Sequence, residues 1–383
     1  MKSPTVRFLL LGDPTTDRRS INFIRFFSEL GFETEFVFAS PNNNGASPLL
    51  NGTRLTLHHS SGPLMFIEYE KILTEFLADA PPCDILFSSE LYSLKSAAKA
   101  IKAKKAGYLI YDARELYTEL PTVANNLFKK LFWKRWEKFG LKNTNLMVVT
   151  APDDAGAIQS VHGSVPDHIC IRNLPALEIY EANNYLRNKF SISDTKKVLV
   201  YLGGVQTDRG LEKMISAMSV LSDVASFVII GDGILKNIFQ KEVKNLGLED
   251  AVFFHDTIPA EDSISMLSSA DVGISLIEAK SKSYELALPS KIFEYMLAGL
   301  PIVSSPLRQV KALLGDSEFI TYTNPNGVNS VVEACRIAIA HSSDPKLKER
   351  IHQTATDNFT FEHDRRFLLD KMSAIPNLLP TGR

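Results

Sequence analysis

Short apolar runs alternate with amphipathic stretches along the whole chain, and this alternation restricts the fold more than any other feature. In the first half, amphipathic segments such as SINFIRFFSELG and LYSLKSAAKAIKAKKAG separate runs with the composition of buried strands: VRFLLLG, ETEFVFAS, CDILFSS, YLIYD and LMVVTA. Because neighbouring parallel strands need a crossover connection, the pattern predicts an α/β fold built on parallel sheets.

The alternation restarts at KKVLVYLGG and continues through SFVIIGDG, AVFFHD, DVGISLI, KIFEYMLAG and PIVSS. A chain of 383 residues is long enough for two domains at roughly 100–200 residues each. The polar stretch IRNLPALEIYEANNYLRNKFSISDTKK lacks a strong period and carries Pro175. We therefore expect two α/β halves with their boundary in this stretch.

Composition narrows the class of protein. The formal net charge of −2 excludes a generally basic nucleic-acid coat, so no nucleic-acid partner is expected. Cys83, Cys170 and Cys335 are far apart and lack metal-ligand spacing, which favours a reducing, cytoplasmic setting without a zinc site. The amino-terminal apolar run is short and no stretch of about 18 apolar residues occurs, so neither a signal peptide nor a membrane-spanning helix is expected.

In open α/β sheets, ligands bind at the carboxyl ends of the strands, and the first such loop of the second half is YLGGVQTDRGLEKM. Gly203 and Gly204 would let the backbone approach a ligand closely. A helix is predicted from about Asp208, with Arg209 in its first turn, where it could contact a phosphate. The alternative is a glycine turn followed by a solvated arginine.

The second loop follows the strand of SFVIIGDGILKNI and contains Gly231. It resembles the start of a dinucleotide fingerprint, but Lys236 stands where the third glycine is needed. A dehydrogenase is therefore disfavoured, and the loop is either a plain tight turn or part of the binding crevice.

The third loop opens LPSKIFEYMLAGLPIVSS, in which Ser290 is the predicted N-cap of a helix over about 291–298. Lys291 faces the positive end of the helix dipole, which costs roughly 0.3–1 kcal/mol unless an anion is present. One interpretation is a surface pair of Lys291 with Glu294, one turn later. The other is a phosphate held by Ser290, Lys291 and backbone N–H groups, with Glu294 accepting hydrogen bonds from ribose hydroxyls.

In this order and spacing, GGVQTDRG, IIGDG, VFFHDTIP and LPSKIFEYMLAGLPIV resemble the carboxyl half of retaining GT-B glycosyltransferases of family four, over about residues 198–340. The resemblance implies an α/β fold of two Rossmann-like, doubly wound parallel-sheet domains facing across a cleft. It implies an acceptor-side domain over 1–175 plus about 360–383, and a nucleotide-sugar domain over 176–359.

The same resemblance assigns roles. Arg209 matches the residue that binds the diphosphate, Glu294 matches the ribose-binding acid, and residues 255–259, including Ile258, match the loop along the base. Leu286 stands where the family has a further acid, and Gly204 where many relatives have an arginine. No cofactor and no metal are implied, since the nucleotide-sugar is a substrate. Arg209 and Lys291 are the predicted catalytic residues on the donor side.

On the acceptor side, YLIYDARELYTELP resembles the family's D-A-H-E-L segment, with Arg114 in place of the usual histidine. Arg114 or Glu115 is predicted near the transferred sugar or the acceptor. The alternative is that Asp112, Arg114 and Glu115 pair among themselves and cap the next helix. The loop GDPTTDRRS offers Thr15, Thr16 and Arg18 as further lining residues.

Residues 127–142 form a predicted helix in which aromatic and basic side chains are interleaved. Basic groups around aromatic anchors suit an anionic membrane surface, and such a surface on the inner face of the cell membrane is a predicted partner. The alternative is a core-packed face opposite a solvated basic face.

The predicted function is transfer of a sugar, with retention of configuration, from a nucleotide-diphosphate sugar to a glycan or lipid-linked acceptor in cell-surface polysaccharide synthesis. Two alternatives stay open: a nucleotide-sugar epimerase of the same fold, and a non-catalytic GT-B partner protein.

Overall fold

The computed structural model describes residues 3–14, 17–40, 52–177, 180–375 and 379. The chain divides into two compact units. The first consists of the described residues within 1–173, 281–283 and 364–383, and the second of those within 174–280 and 284–363. Thr15, Thr16 and most of the loop PNNNGASPLLNG (41–52) lie outside the described residues.

The first unit is built on a seven-stranded sheet in which every pairing is parallel, in the order β3-β2-β1-β4-β5-β6-β7. Its strands are β1 (Thr5–Leu11), β2 (Glu33–Ala39), β3 (Gly52–Leu55), β4 (Cys83–Ser89), β5 (Ala106–Ala113), β6 (Leu146–Val149) and β7 (Asp167–Cys170). Its helices are α1 (Arg18–Glu29), α2 (Gly62–Asp79), α3 (Leu91–Lys102), α4 (Pro121–Ala124), α5 (Leu127–Leu141) and α6 (Asp154–His162), with a short 3-10 helix at Tyr117–Glu119.

The second unit has a six-stranded, wholly parallel sheet in the order β10-β9-β8-β11-β12-β13. Its strands are β8 (Lys197–Leu202), β9 (Ala225–Ile230), β10 (Val252–His255), β11 (Val272–Ser275), β12 (Ile302–Ser304) and β13 (Ile320–Tyr322). The remaining helices are α7 (Tyr185–Phe190), α8 (Leu211–Leu221), α9 (Lys236–Asn245), α10 (Ser263–Leu267), α11 (Lys282–Glu285), α12 (Ser290–Leu297), α13 (Arg308–Leu314), α14 (Val328–His341), α15 (Pro345–Asn358) and α16 (Phe361–Ser373), with a 3-10 helix at Ala260–Asp262.

Both faces of the second sheet are buried, as expected for parallel strands flanked by helices. One apolar cluster contains buried side chains of α8, α9 and α14, and the other contains those of α10, α12 and α15. In the first unit, Phe8, Phe23 and Phe87 lie in the centre, with ring centroids 4.8 Å apart in the pairs Phe8–Phe87 and Phe23–Phe87. The predicted alternation of strands and helices is thus confirmed.

Each sheet reverses its strand order at one place, between β1 and β4 in the first unit and between β8 and β11 in the second. Ligands of open α/β sheets bind outside the carboxyl ends of the strands at such a reversal. In the second unit Tyr295 of α12 bridges the reversal, because its hydroxyl accepts from Leu202 N (3.0 Å) and donates to Ile274 O (3.0 Å). Helix α12 is therefore attached directly beneath the expected ligand edge.

Within the residues that the structure describes, we find no helix long and apolar enough to cross a membrane.

Candidate functional site

The loops after β8 and β9 pack backbone against backbone at the carboxyl edge of the second sheet. Gly203 N donates to Ile230 O at 2.9 Å. Gly231 has φ +141°, and a Cβ atom there would lie 2.1 Å from the carbonyl oxygen of Gly203. A side chain at Gly231 would therefore push the two loops apart, and the predicted glycine turns form one continuous backbone surface.

Tyr201 forms the floor of this surface. The residue is 1% exposed, and its hydroxyl donates to the carbonyl oxygen of Gly204 at 2.9 Å. Burial raises the pKa of Tyr201 to about 12, so the phenol keeps its proton at neutral pH. The ring face of Tyr201 is thus held in a fixed position next to the Gly203–Gly204 turn.

Lys291 extends over that ring from the start of α12. Its Nζ atom lies 3.8 Å from the ring centroid of Tyr201, and 3.1 Å from the place where a Cβ of Gly203 would be. Burial and, to a smaller extent, the charge of Arg209 lower the pKa of Lys291 to about 7, although the charge of Glu294 opposes the shift. A partly buried cation is attracted to the ring face, which is a weaker partner than a carboxylate.

The beginning of α12 differs from the prediction by one residue. Ser290 was predicted as the N-cap, but the helix begins at Ser290, and Pro289 occupies the cap position without a side-chain hydrogen bond. Ile292 N donates to Pro289 O at 3.2 Å, and no side chain caps the other N–H groups of the first turn, which leaves these available to an anion. The buried face is as predicted, with Ile292, Phe293, Met296 and Leu297 at most 2% exposed.

Glu294 interacts with a different helix. Its Oε1 accepts a hydrogen bond from Ser263 Oγ of α10 at 3.1 Å. No hydrogen bond or ion pair joins Lys291 to Glu294 among the described residues, although the charge of Glu294 raises the pKa of Lys291, so the geometry does not favour the interpretation as a surface pair. The other interpretation, a phosphate and ribose site, stays a prediction.

Arg209 lies outside the helix that was predicted to contain it. Helix α8 begins at Leu211, and Gly210 precedes it in the left-handed region at φ +67°. A Cβ atom at Gly210 would lie 2.4 Å from Cβ of Leu276, so only glycine fits in the turn before the helix. The Arg209 guanidinium carbon lies 5.1 Å from the ring centroid of Tyr284.

Arg209 and Lys291 thus form a pair of cations at one edge of the sheet. Among the described residues, neither forms a hydrogen bond or an ion pair with an acid, and each instead lies over an aromatic ring. The two like charges repel each other, and this repulsion is one reason that the pKa of Lys291 is lowered. Two cations without an ion-pair partner, next to backbone N–H groups that no side chain caps, can bind an anion such as a phosphate group.

The predicted base-side loop follows β10. His255 Nδ1 donates to the carbonyl oxygen of Asp256 at 2.8 Å, which leaves Nε2 to accept from the Tyr185 hydroxyl and from Lys189 Nζ, each at 3.2 Å. Ile258 is partly buried against the apolar cluster of α10 and α12. This loop is therefore anchored by hydrogen bonds and by apolar packing.

In the first unit, Arg114 is engaged by its neighbours. Its Nε donates to Asp112 at 2.7 Å, Nη1 to Asp17 at 2.7 Å and Nη2 to Ser20 Oγ at 2.9 Å. Asp17 also accepts from the backbone N–H of Ser20, and so caps α1. The pairing of Asp112 with Arg114 agrees with the alternative in which these residues interact with each other.

Asp112 is fully buried between two guanidinium groups. Besides Arg114, it binds Arg19, whose Nη2 lies 2.6 Å from Oδ1. Burial alone would raise the pKa of Asp112, but the charges of Arg19 and Arg114 outweigh it and hold the pKa below the usual range. Asp112 therefore stays ionised and orders both arginines.

Glu90 was not predicted as a site residue, yet it lies at the strand reversal of the first unit. It directly follows β4, has φ +76°, and its carboxylate lies 3.6 Å from Arg114 Nη1. Burial is the main reason that the pKa of Glu90 is raised to about 7; Arg114 opposes the shift, and Asp17, Asp112 and the exposed Glu115 favour it. Its place as a charged residue directly after the strand CDILFSS could have identified it.

No group of three or more histidine, cysteine, aspartate or glutamate side chains within the described ranges is arranged to hold a metal ion.

A family model describes much of the second unit. Residues 183–357 match the family of glycosyl transferases group 1. This segment belongs to that family. It contains the loops after β8, β9 and β10 as well as α12, and therefore every donor-side residue predicted from the sequence.

Relatives agree with this assignment. The putative colanic acid biosynthesis glycosyl transferase WcaI of Escherichia coli (strain K12) is 31% identical over 119 residues, which are 30% of this chain and 28% of that protein. The match thus spans less than a third of the relative's length.

Solved structures resemble nearly the whole chain in fold. Sucrose-phosphate synthase from Thermosynechococcus elongatus aligns with a TM-score of 0.76 at 16% identity, covering 96% of this chain and 98% of that one. HepE from Anabaena, in complex with UDP and glucose, aligns with a TM-score of 0.76 at 14% identity, covering 97% and 100%. At these identities the likeness bears on the fold, and it confirms the predicted class, GT-B with two Rossmann-like parallel-sheet domains.

Proposed function

We propose that the chain is a glycosyltransferase that moves a sugar from a nucleotide-diphosphate sugar to an acceptor hydroxyl group, with retention of configuration. The observation that carries the proposal is the pair of Arg209 and Lys291, two cations without an acidic partner among the described residues. They lie at the carboxyl edge of a parallel sheet, beside the Gly203–Gly204 turn. The membership of residues 183–357 in the glycosyl transferases group 1 family supports the same reaction class.

In this proposal the diphosphate binds Arg209, Lys291 and the free N–H groups at the start of α12. The acceptor oxygen bonds to the anomeric carbon while the bond from that carbon to the phosphate oxygen breaks. The hydroxyl proton is released to solvent, and the diphosphate leaves with increased negative charge. The two cations stabilise that charge at the place where it develops, which is a major source of catalysis in such reactions. Ser290 is the first residue of the same helix and lies next to the phosphate position.

Glu294 is proposed to accept hydrogen bonds from the ribose hydroxyl groups. Its place one turn after Lys291 suits a group adjacent to the diphosphate, and its bond to Ser263 holds the carboxylate in position. Ile258 and the anchored loop after β10 are proposed to lie along the base. HepE was solved with UDP and glucose, so uracil is the first base to test.

The proposed acceptor is a glycan or a lipid-linked glycan of a cell-surface polysaccharide. The relative named for colanic acid biosynthesis supports this class of acceptor. On the acceptor side, Glu115 and the ordered group of Arg114, Asp112 and Glu90 lie at the carboxyl edge of the first sheet. We propose that this edge binds the acceptor or the transferred sugar.

The test is calorimetric titration of the chain with UDP, GDP, ADP and dTDP. We expect one of these to bind, and Arg209→Ala and Lys291→Ala each to weaken that binding while the thermal melting curve stays cooperative. Lys241→Ala, which removes an exposed lysine of α9, is the matched control and should bind normally. Absence of binding by every nucleotide would contradict the proposal.

Activity is then tested with the sugar donor of the nucleotide that binds. We expect the sugar to be transferred slowly to water, with release of the nucleoside diphosphate, and this hydrolysis to be about 10²–10³-fold slower in Lys291→Ala. Conversion of the donor to an isomeric nucleotide-sugar without release would indicate an epimerase instead. Tight nucleotide binding without any turnover would indicate a non-catalytic protein.

A further inference from the structure

Helix α5 of the first unit has an outward face that the fold leaves uncovered. The inward face is buried through Trp136, Glu137, Gly140 and Leu141. On the outward side, four large apolar residues are exposed: Leu127 (78%), Phe128 (87%), Leu131 (43%) and Phe132 (41%). We call these four residues the outer face of α5. The sequence left open a solvated basic face opposite the core, but the outer face also carries large apolar side chains.

Cations accompany these apolar side chains. Lys129, Lys134, Arg135 and Lys138 have no ion-pair partner in the described ranges, whereas Lys130 pairs with Glu119 at 2.7 Å. The positive charge of the outer face is thus not neutralised by nearby acids. A partner that covers the face must offer both apolar groups and negative charges that can pair with four cations.

The beginning of α2 adds to the same region. The ring centroid of Phe66 lies 5.1 Å from that of Trp133 and 4.6 Å from that of Tyr92, so the first turns of α2 lie beside α5. Leu64 and Ile67, on either side of Phe66, are exposed. Exposed apolar side chains therefore come from two helices whose aromatic residues are in contact.

We propose that the outer face of α5 docks on an anionic lipid bilayer. The apolar side chains enter the boundary of the acyl chains, and the cations contact the lipid phosphates, as in helices that lie in the plane of the membrane interface. Each basic residue near such a surface adds to the attraction. This inference goes beyond the proposed function and does not depend on the donor chemistry.

The charges favour a membrane over a protein partner. Lysine is depleted in the centres of protein–protein interfaces, whereas here three lysines and one arginine surround the apolar residues. A second copy of the chain is disfavoured as well. A twofold interface brings the same patch of both copies together, and the unpaired cations of the two copies would then repel each other.

The chain carries its own probe of this face. It has two tryptophans, Trp133 and Trp136, and both lie on α5. Tryptophan fluorescence of the full chain is measured with vesicles of phosphatidylcholine alone and of phosphatidylcholine with phosphatidylglycerol. We expect a blue shift with the anionic vesicles, and quenching when their acyl chains are brominated. Absence of both effects with anionic vesicles would overturn the proposal.

Two variants separate the apolar from the charged contribution. Phe128→Ser with Leu131→Ser removes the apolar anchors, and Lys134→Gln with Arg135→Gln and Lys138→Gln removes three charges. Removal of the three charges should weaken binding to anionic vesicles on the order of a hundredfold. Removal of the two apolar anchors should abolish quenching by brominated acyl chains. All five positions are on or beside the outer face, so the fold is expected to survive, which a thermal melt checks.

The matched control is on α9, where Ile238 is exposed beside Lys241 and Lys244. Ile238→Ser with Lys241→Gln and Lys244→Gln should leave vesicle binding unchanged. Equal binding by the α5 variants and the unmodified chain would overturn the proposal. A concentration-dependent dimer that Phe128→Ser abolishes, without vesicle binding, would assign the face to self-association instead.

Discussion

Lys291 Nζ lies 3.8 Å above the centroid of the Tyr201 ring, where no carboxylate of the described chain pairs with it. The aromatic face attracts the ammonium group, but burial and the nearby Arg209 still lower its pKa to about 7. The site therefore favours an additional negative charge. Two predictions follow from this relationship, one for binding and one for stability.

Nucleotide binding should be coupled to proton uptake. Because the pKa of Lys291 is about 7, most molecules carry a neutral amine at pH 8, and a bound diphosphate raises that pKa again. If UDP is the nucleotide that binds, we expect the protein to take up close to one proton on binding at pH 8. The affinity for UDP should fall as the pH rises above 7. Calorimetry in buffers of different ionisation enthalpy measures the uptake. Lys291→Arg stays charged and should show none; the same uptake in that variant would exclude Lys291 as its source.

Lys291 should also lower the stability of the unliganded protein. Its folded pKa lies below its unfolded pKa, so the unfolded state binds more protons between about pH 7 and 10.5, and stability should rise with pH across this window. We expect Lys291→Met to increase the free energy of unfolding at pH 7 by about 1–3 kcal/mol and to flatten the pH dependence. Urea denaturation at several pH values checks this. Lys241→Met, at an exposed position of α9, should change stability by less than about 0.5 kcal/mol, and equal effects of both variants would contradict the prediction.

The contact between the two glycine loops should be sensitive to one methyl group. A Cβ at Gly231 would lie 2.1 Å from the Gly203 carbonyl oxygen at a positive φ, so Gly231→Ala must shift the backbone. We expect a loss of about 2–4 kcal/mol in the free energy of unfolding, together with weaker nucleotide binding. Gly156→Ala in α6, where a Cβ meets nothing within 4 Å, should be neutral or gain up to about 1 kcal/mol. Similar melting temperatures for both variants would rule out the tight packing of the two loops.

Glu90 should make stability depend on pH in the opposite sense. Its folded pKa of about 7 lies above the unfolded value near 4.5, so the folded state binds more protons between these values, and stability is lost as pH rises through 7. Glu90→Gln cannot ionise. Its stability relative to the unmodified chain should therefore grow by about 1–3 kcal/mol between pH 4.5 and 7.5. Glu115→Gln, at an exposed position, should show a smaller change, and a pH-independent difference for Glu90→Gln would contradict the prediction.

The sequence predicted much of α12 because the buried side of a helix shows as a regular spacing of apolar residues. Ile292, Phe293, Met296 and Leu297 recur with the spacing of one helix face, and all four are buried. The start of the helix was wrong by one residue. The start of α8 was wrong as well, because the close approach of Gly210 to Leu276 involves a residue distant in the sequence.

Acceptor-side charges were less predictable. The sequence left open whether Asp112, Arg114 and Glu115 pair with each other, and it gave no reason to connect Arg114 with Asp17 or Glu90. These residues lie in three segments that the parallel sheet brings to one edge. The raised pKa of Glu90 depends on that convergence and on burial, and neither is visible in a local pattern.

By itself, the sequence determined the alternation of strands and helices, the parallel sheets and the positions of the loops that carry the site, because periodic burial and glycine turns are local properties. Only the tertiary structure decided which charges are paired. Ser263 donates a hydrogen bond to Glu294, and Lys291 lies over the ring of Tyr201. Neither Lys291 nor Arg209 forms a hydrogen bond or an ion pair with an acid among the described residues. Pairing depends on distances between segments that are far apart in the sequence, and the arrangement of the strands in each sheet sets those distances.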